Sequence, residues 1–142
     1  MSFEEPSQLA DKVAARVLDA AFIVHRELGP GLLESVYELC MADLLIDWDF
    51  KVERQRPFAV NFMGKQLDTG FKADLVINNS VIVELKSVDK LVPVHDTQIL
   101  TYLKLSGIQI GLLLNFNQPL LKQGIKRFVL SQSRGVLGVR GG

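Results

Sequence analysis

Residues 70–88, GFKADLVINNSVIVELKSV, decide the fold that the sequence predicts. Two runs rich in Val, Ile and Leu flank the turn-forming residues 78–80 (NNS), a pattern typical of a β-hairpin. With a three-residue turn, Ile77 faces Val81 across the hairpin. The stretch therefore predicts two neighbouring antiparallel strands at the centre of the domain.

Charged residues interrupt this otherwise apolar hairpin. Counting back from the turn places Asp74 opposite Glu84, and side-chain alternation puts Lys86 on the same face. A two-residue turn would shift the register by one and make the two carboxylates diagonal neighbours. The other face of the hairpin carries apolar residues: Leu75, Ile77, Val81, Val83 and Leu85.

Two opposed carboxylates need a physical reason, because like charges about 4.5–5.5 Å apart at Cβ repel each other. A divalent cation is one reason, since Mg²⁺ prefers oxygen ligands and is often held by one or two carboxylates with water and phosphate. Lys86 would then orient a water or stabilise charge on a phosphate. The spacing alone equally allows an exposed sheet face on which the acids pair with Lys72 or Lys86.

The pattern on either side of the hairpin predicts helices and further strands. Apolar residues at spacings of three and four predict helices over residues 7–28, 32–46 and 93–105. Ser7 is suited to cap the first helix, and Gly and Pro residues mark where helices stop. Strands are predicted near residues 51–55, 58–62, 67–77, 80–87, 109–116 and 124–130. The expected fold class is therefore α/β (α+β), a central mixed β-sheet flanked by helices.

Composition limits the possible functions. The chain of 142 residues is long enough for one domain, expected over residues 1–130, with a C-terminal tail over residues 131–142. Lys and Arg total 16, as do Asp and Glu, so nucleic-acid binding would need a local basic patch or a metal. One cysteine, no apolar signal sequence and no membrane span predict a soluble, cytoplasmic protein.

Asp74 followed by Glu84-x-Lys86 resembles the signature of the PD-(D/E)XK nuclease superfamily. Two further stretches strengthen the resemblance. Residues 31–37, GLLESVY, fit the pattern G-x-x-E-x-x-Y, and residues 95–105, HDTQILTYLKL, contain the Q-x-x-x-Y pattern of one nuclease branch. Together with GFKADLVI, these motifs resemble the GxxExxY proteins, a small bacterial and archaeal group placed in that superfamily.

The resemblance implies a restriction-endonuclease-like core and a metal site for Mg²⁺ or Mn²⁺. Asp74 and Glu84 would be the main ligands, and the backbone carbonyl of Leu85 would be a further one. Glu34 would reach the metal from the helix that precedes the sheet. From the residues alone, an acid at Glu34 is equally explained by the helix dipole.

The resemblance also implies a set of catalytic residues: Asp74, Glu84, Lys86 and Gln98. Lys86 would position or help activate the attacking water, and Gln98 would orient Lys86 or the phosphate. The expected function is Mg²⁺-dependent hydrolysis of phosphodiester bonds in DNA, or alternatively in RNA. The other hypothesis is a catalytically weak or inactive nuclease-fold module that binds nucleic acid or a protein partner. Under both hypotheses the protein would act as a homodimer or beside a partner. Tyr37 and Tyr102 are expected to serve packing rather than chemistry.

Overall fold

The computed structural model of the protein describes residues 7–130 and 137–141, with the backbone alone for Thr69 and for 137–141. Residues 1–6, which belong to the stretch predicted to lack a signal peptide, lie outside the described residues. Residues 131–136 and 142 of the predicted tail also lie outside them. The helices are α1 (Gln8–Leu28), α2 (Glu34–Asp47) and α3 (Pro93–Ser106). The strands are β1 (Val52–Phe62), β2 (Lys65–Ile77), β3 (Val81–Lys86), β4 (Ile110–Asn115), β5 (Ile125–Leu130) and β6 (Leu137–Gly141).

The six strands form one mixed sheet in the order β1-β2-β3-β4-β5-β6. Strands β3 and β4 are parallel, and all other neighbours are antiparallel. Helix α3 lies between β3 and β4 in the chain and provides the long crossover that a parallel pair needs. The predicted mixed sheet flanked by helices is thereby confirmed.

Helices cover both faces of the sheet. Helices α1 and α2 pack on one face, with buried residues such as Val17, Tyr37 and Met41 against the sheet residues of β3 and β4. Helix α3 packs on the other face through Ile99 and Leu103. Among the described residues, no helix is long and apolar enough to cross a membrane.

The central hairpin has the predicted register. Ile77 pairs with Val81, and the ladder continues to Leu75 and Val83. The predicted apolar face lies in the core under α1 and α2, where all of its members are buried: Leu75, Ile77, Val81, Val83 and Leu85. The alternation of apolar and polar side chains along β2 and β3 therefore determined which face of the sheet α1 and α2 cover.

Two strand assignments differ from the prediction. The strands predicted at residues 51–55 and 58–62 form one strand, β1, that continues through Pro57. The prediction was wrong there because Pro57 lies on an edge strand. A proline has no backbone N–H group, and on an edge strand that group can face solvent, so no hydrogen bond between strands is lost. In the segment assigned as a tail, β6 pairs with β5 along the opposite edge of the sheet.

Candidate functional site

The two acidic residues lie where strands β2 and β3 separate. The backbone ladder between these strands ends at the pair Leu75 and Val83. Beyond it, the backbone N–H of Asp74 donates to Glu84 Oε2 at 2.8 Å, and the N–H of Leu85 donates to Asp74 Oδ2 at 2.9 Å. Each carboxylate thus takes the place of a backbone acceptor on the neighbouring strand, which holds both acids at the fork.

Burial and mutual repulsion make this pair electrostatically costly. Glu84 is only 3% exposed, and burial, followed by the negative charge of Asp74, raises the pKa of Glu84 to about 8. Burial also raises the pKa of Asp74, although the hydrogen bond from Leu85 acts in the opposite direction. In the metal-free protein at neutral pH, burial therefore favours the protonated form of Glu84, and a bound cation would stabilise the ionised form of both groups.

The donor atoms at the fork suit a hard divalent cation. They comprise the carboxylate oxygens of Asp74 and Glu84, while the backbone carbonyl of Leu85 follows in the chain. In the part of the chain that the structure describes, no three His, Cys, Asp or Glu side chains are close enough to hold a metal together. The site therefore offers two carboxylates, a number that suits Mg²⁺ completed by water and phosphate oxygens.

Lys86 lies beside the acids and is held by helix α3. Its Nζ donates to Gln98 Oε1 at 3.1 Å, and Gln98 Nε2 donates to Tyr102 Oη at 2.9 Å. The charge of Lys86 lowers the pKa of Asp74 and of Glu84, although burial remains the largest influence on both. The structure thus brings together Asp74, Glu84, Lys86 and Gln98, the four residues to which the resemblance assigns catalytic roles.

Glu38 is a residue near the site that the sequence analysis missed. It is 6% exposed and accepts hydrogen bonds from Arg54 Nε at 3.1 Å and from Gln55 Nε2 at 2.6 Å. The same Gln55 nitrogen donates to Asp74 Oδ1 at 3.2 Å. A side-chain amide of β1 therefore lies between a carboxylate of α2 and a carboxylate of β2.

Glu34 is not brought into this cluster. It is exposed in the first turn of α2, one turn before Glu38, and no described side chain bonds to it. An acid at this position is favoured by the partial positive charge of the helix N-terminus. A signal that could have found Glu38 is its position between Tyr37 and Met41, because an acid among the apolar residues of a helix needs a partner when it is buried. Its partners come from β1, so local spacing did not reveal them.

Tyr37 has a structural role in the G-x-x-E-x-x-Y stretch. Its hydroxyl donates to the carbonyl of Gly29 at 2.6 Å and accepts from the N–H of Leu32 at 3.1 Å. Its ring stacks on Phe116 with a centroid distance of 4.4 Å. Ser87, next to Lys86, donates to the carbonyl of Leu32 at 2.6 Å. Tyr37 therefore shapes the loop before α2 and helps fix that loop against the end of β3, in agreement with the packing role expected for it.

Asn115 holds the chain that follows Lys86. This fully buried side chain accepts from the N–H of Val88 at 3.1 Å and donates to its carbonyl at 2.9 Å. The N–H of Phe116 donates to the carbonyl of Lys86 at 2.9 Å. Because buried amides are rigid when their hydrogen bonds are satisfied, Asn115 restricts the direction in which β3 leaves the sheet.

Comparison with protein families agrees with this geometry. A family model of the PD-(D/E)XK nuclease superfamily matches residues 11–128, more than four fifths of the chain. The chain belongs to the PD-(D/E)XK nuclease superfamily. Comparisons with curated proteins and with solved structures found no match. The matched range of this nuclease-superfamily domain includes the strand fork, Lys86 and Gln98.

Proposed function

We propose that this nuclease-superfamily domain hydrolyses phosphodiester bonds in DNA, with RNA as the alternative substrate, and that it uses Mg²⁺ or Mn²⁺. The observation that carries the proposal is the pair formed by half-buried Asp74 and buried Glu84 at the strand fork, with Lys86 beside it. Superfamily membership supports the same chemistry. A cytoplasmic location, action as a homodimer or with a partner protein, and the closer relation to GxxExxY proteins belong to this proposal as well.

Each residue of the site has a separate role in the proposed reaction. Asp74 and Glu84 would hold the cation, and the carbonyl of Leu85 would offer a further oxygen. When bound, such a metal lowers the pKa of a coordinated water and offsets charge on the scissile phosphate. Lys86 donates a hydrogen bond to the attacking water or to a phosphate oxygen, and Gln98 keeps the amine in that position. The apolar face under α1 and α2 excludes water from the opposite side of the fork.

The direct test is a cleavage assay on single- and double-stranded DNA and RNA. The purified protein is incubated with Mg²⁺ or Mn²⁺, and EDTA added in excess is expected to stop cleavage. The Asp74→Ala variant, purified in parallel, measures contaminating nuclease because it lacks one of the two proposed main ligands. Cleavage by this variant at the wild-type rate would contradict the assigned role.

Two acids of α2 are candidates for supporting the metal. Glu34 is implied by the G-x-x-E-x-x-Y resemblance, whereas Glu38 is favoured by its bonded path through Gln55 to Asp74. We expect Glu38→Gln to lower metal affinity or cleavage about 10–100-fold, the usual effect of removing a group that orients a ligand. The matched variant Glu34→Gln is expected to change both by less than about threefold, since an exposed side chain outside the cluster orients no ligand. The reverse result would assign the α2 ligand to Glu34.

A second candidate function is a module that binds nucleic acid or a protein without cutting. The raised pKa of Glu84 favours it, because a protonated carboxyl is a poor metal ligand. Calorimetry with Mn²⁺ separates the candidates. Binding that disappears in Glu84→Ala supports the enzyme, and no binding at millimolar Mn²⁺ supports the module.

A further inference from the structure

Strands β1 and β2 continue beyond the rest of the sheet as a two-stranded ribbon, defined here as residues 56–72. They pair from Val52 and Ile77 to Phe62 and Lys65, whereas β2 pairs with β3 only from Leu75 to Ile77. At about 3.3 Å per residue, the turn lies roughly 30 Å from the strand fork along β2. The ribbon therefore projects from the proposed catalytic site itself.

The tip of the ribbon combines exposed apolar side chains with an unfavourable backbone. The two turn residues, Met63 and Gly64, have φ angles of 50° and 79°. Two-residue hairpin turns of this kind favour Asn and Gly, and a left-handed conformation costs other residues about 1–2 kcal/mol. Met63 is nevertheless 86% exposed, and Phe62 beside it is 60% exposed. Such an outlier on the surface points to a function of the tip rather than to folding.

Apolar side chains continue from the tip along one face of the ribbon. Phe58 pairs with Phe71, and Val60 pairs with Leu67. Between these pairs, β2 has two more residues than β1. Because two is an even number, side chains on both strands keep pointing to the same faces on either side of the irregularity. Phe62 follows Val60 on the same face by this alternation. The face thus forms a continuous apolar stripe from the tip towards the sheet.

The stripe reaches the proposed catalytic residues. The ring of Phe71 stacks on Tyr102 with a centroid distance of 4.0 Å, and the Tyr102 hydroxyl accepts from Gln98. Gln98 in turn holds Lys86. The ribbon face and the reactive groups are therefore parts of one connected surface.

The ribbon carries a local excess of positive charge, although residues 97–142, with six basic and no acidic residues, are more basic. It contains three basic residues and one acidic residue, a net charge of +2, so the remainder of the chain carries −2. Arg56 is paired with Glu53, whereas Lys65 at the turn and Lys72 near the root are exposed. This distribution matches the phosphate backbone of a nucleic acid.

We propose that the ribbon lies in a groove of duplex DNA whose backbone occupies the strand fork, with Phe62 and Met63 against the bases. The proposal rests on the proposed nuclease function. The major groove of B-DNA admits a two-stranded β-ribbon, whereas the deep groove of an RNA duplex is too narrow. A second copy of the chain fits the ribbon less well, because Pro57 and the positive φ of Gln55 interrupt the free edge of β1.

The test measures DNA affinity by fluorescence anisotropy with Asp74→Asn, which blocks cleavage and keeps an oxygen for the Leu85 bond. In this background we expect Met63→Asn and Phe62→Thr to weaken binding of duplex DNA at least about fivefold. Binding of single-stranded DNA and of duplex RNA is expected to change less than about twofold, because the groove contact is absent from both. Met63→Asn is expected to leave the melting temperature equal or higher, because Asn tolerates the turn.

Leu39→Ser provides the matched control, since Leu39 is 52% exposed on α2 and its replacement is expected to leave affinity unchanged. Unchanged duplex affinity in both tip variants would overturn the proposal, even if the protein cuts DNA. If the tip variants weaken duplex binding but the wild-type protein cuts no nucleic acid, the proposed role of the ribbon would be supported and the proposed nuclease activity would be rejected. Sedimentation that shows self-association, abolished by Met63→Asn without a change in DNA affinity, would assign the tip to a second copy instead.

Discussion

Replacing Lys86 with alanine is expected to lower the single-turnover rate of Mg²⁺-dependent cleavage about 10²–10³-fold, the usual effect of removing a donor that stabilises the transition state. Its Nζ lies beside the buried carboxyl of Glu84 and the half-buried carboxyl of Asp74 and is held by Gln98 at 3.1 Å, so water cannot simply replace it. Metal affinity is expected to stay the same or to rise, because the variant removes a positive charge near the cation.

The control is Lys90→Ala, which removes an exposed lysine four residues further along the chain. Gln98→Leu is expected to reduce the rate less than Lys86→Ala, because the amine remains and only its position is relaxed. The double variant is expected to be no slower than Lys86→Ala, since Gln98 acts through Lys86. A double variant much slower than either single one would instead mean that Gln98 contacts the phosphate independently.

Replacing Glu84 with glutamine is expected to stabilise the metal-free protein at pH 8 and above by at most about 5 kcal/mol. Burial, followed by the charge of Asp74, raises the pKa of Glu84 from 4.5 to about 8. Below pH 4.5 the carboxyl is protonated in both the folded and the unfolded chain, and its contribution to stability is fully present. As the pH rises from 4.5 to 8, the folded protein binds more protons than the unfolded chain, and stability is lost. Glutamine keeps the acceptor for the N–H of Asp74 and has no charge to bury.

The measurement is denaturant unfolding between pH 5 and pH 9 in EDTA, followed by thermal unfolding with Mn²⁺ at pH 8. Wild type is expected to lose stability with rising pH and to regain it with metal, which binds the ionised carboxylate and releases a proton. Glu84→Gln is expected to show neither response, whereas the exposed control Glu27→Gln should behave as wild type. Destabilisation by Glu84→Gln that grows from pH 5 to pH 9 would contradict the pKa argument.

In the metal-free protein, the poorly solvated acids at the fork lower the free energy of unfolding. The fork holds Asp74 and Glu84 in hydrogen bonds from neighbouring backbone N–H groups and keeps both poorly solvated. Perturbed acids of this kind are characteristic of functional sites. A bound cation would offset their charge and would also serve the proposed reaction, so the same geometry would link metal binding, folding stability and chemistry.

Much of the site was predictable from residues 70–88. Alternating apolar residues and a turn signal determined the hairpin register, and the register placed Asp74, Glu84 and Lys86 together because side chains repeat every two residues. The contact between Gln98 and Lys86 followed from a resemblance, since α3 is remote from β3 in sequence. The division into helix and strand succeeded elsewhere for the same reason, except at Pro57, where edge position overrode local preference, and at β6, in the segment assigned as a tail.

The sequence by itself determined the mixed sheet, the apolar face under α1 and α2, and the acids and lysine of the central hairpin. Only the tertiary structure decided that Glu38, not Glu34, reaches Asp74 through Gln55, and that an apolar ribbon projects from the site. The physical reason is the range of the contacts. Periodicity specifies neighbours within a strand or helix, whereas Glu38 and Gln55 meet because α2 packs against β1, and this depends on the folding of the whole chain.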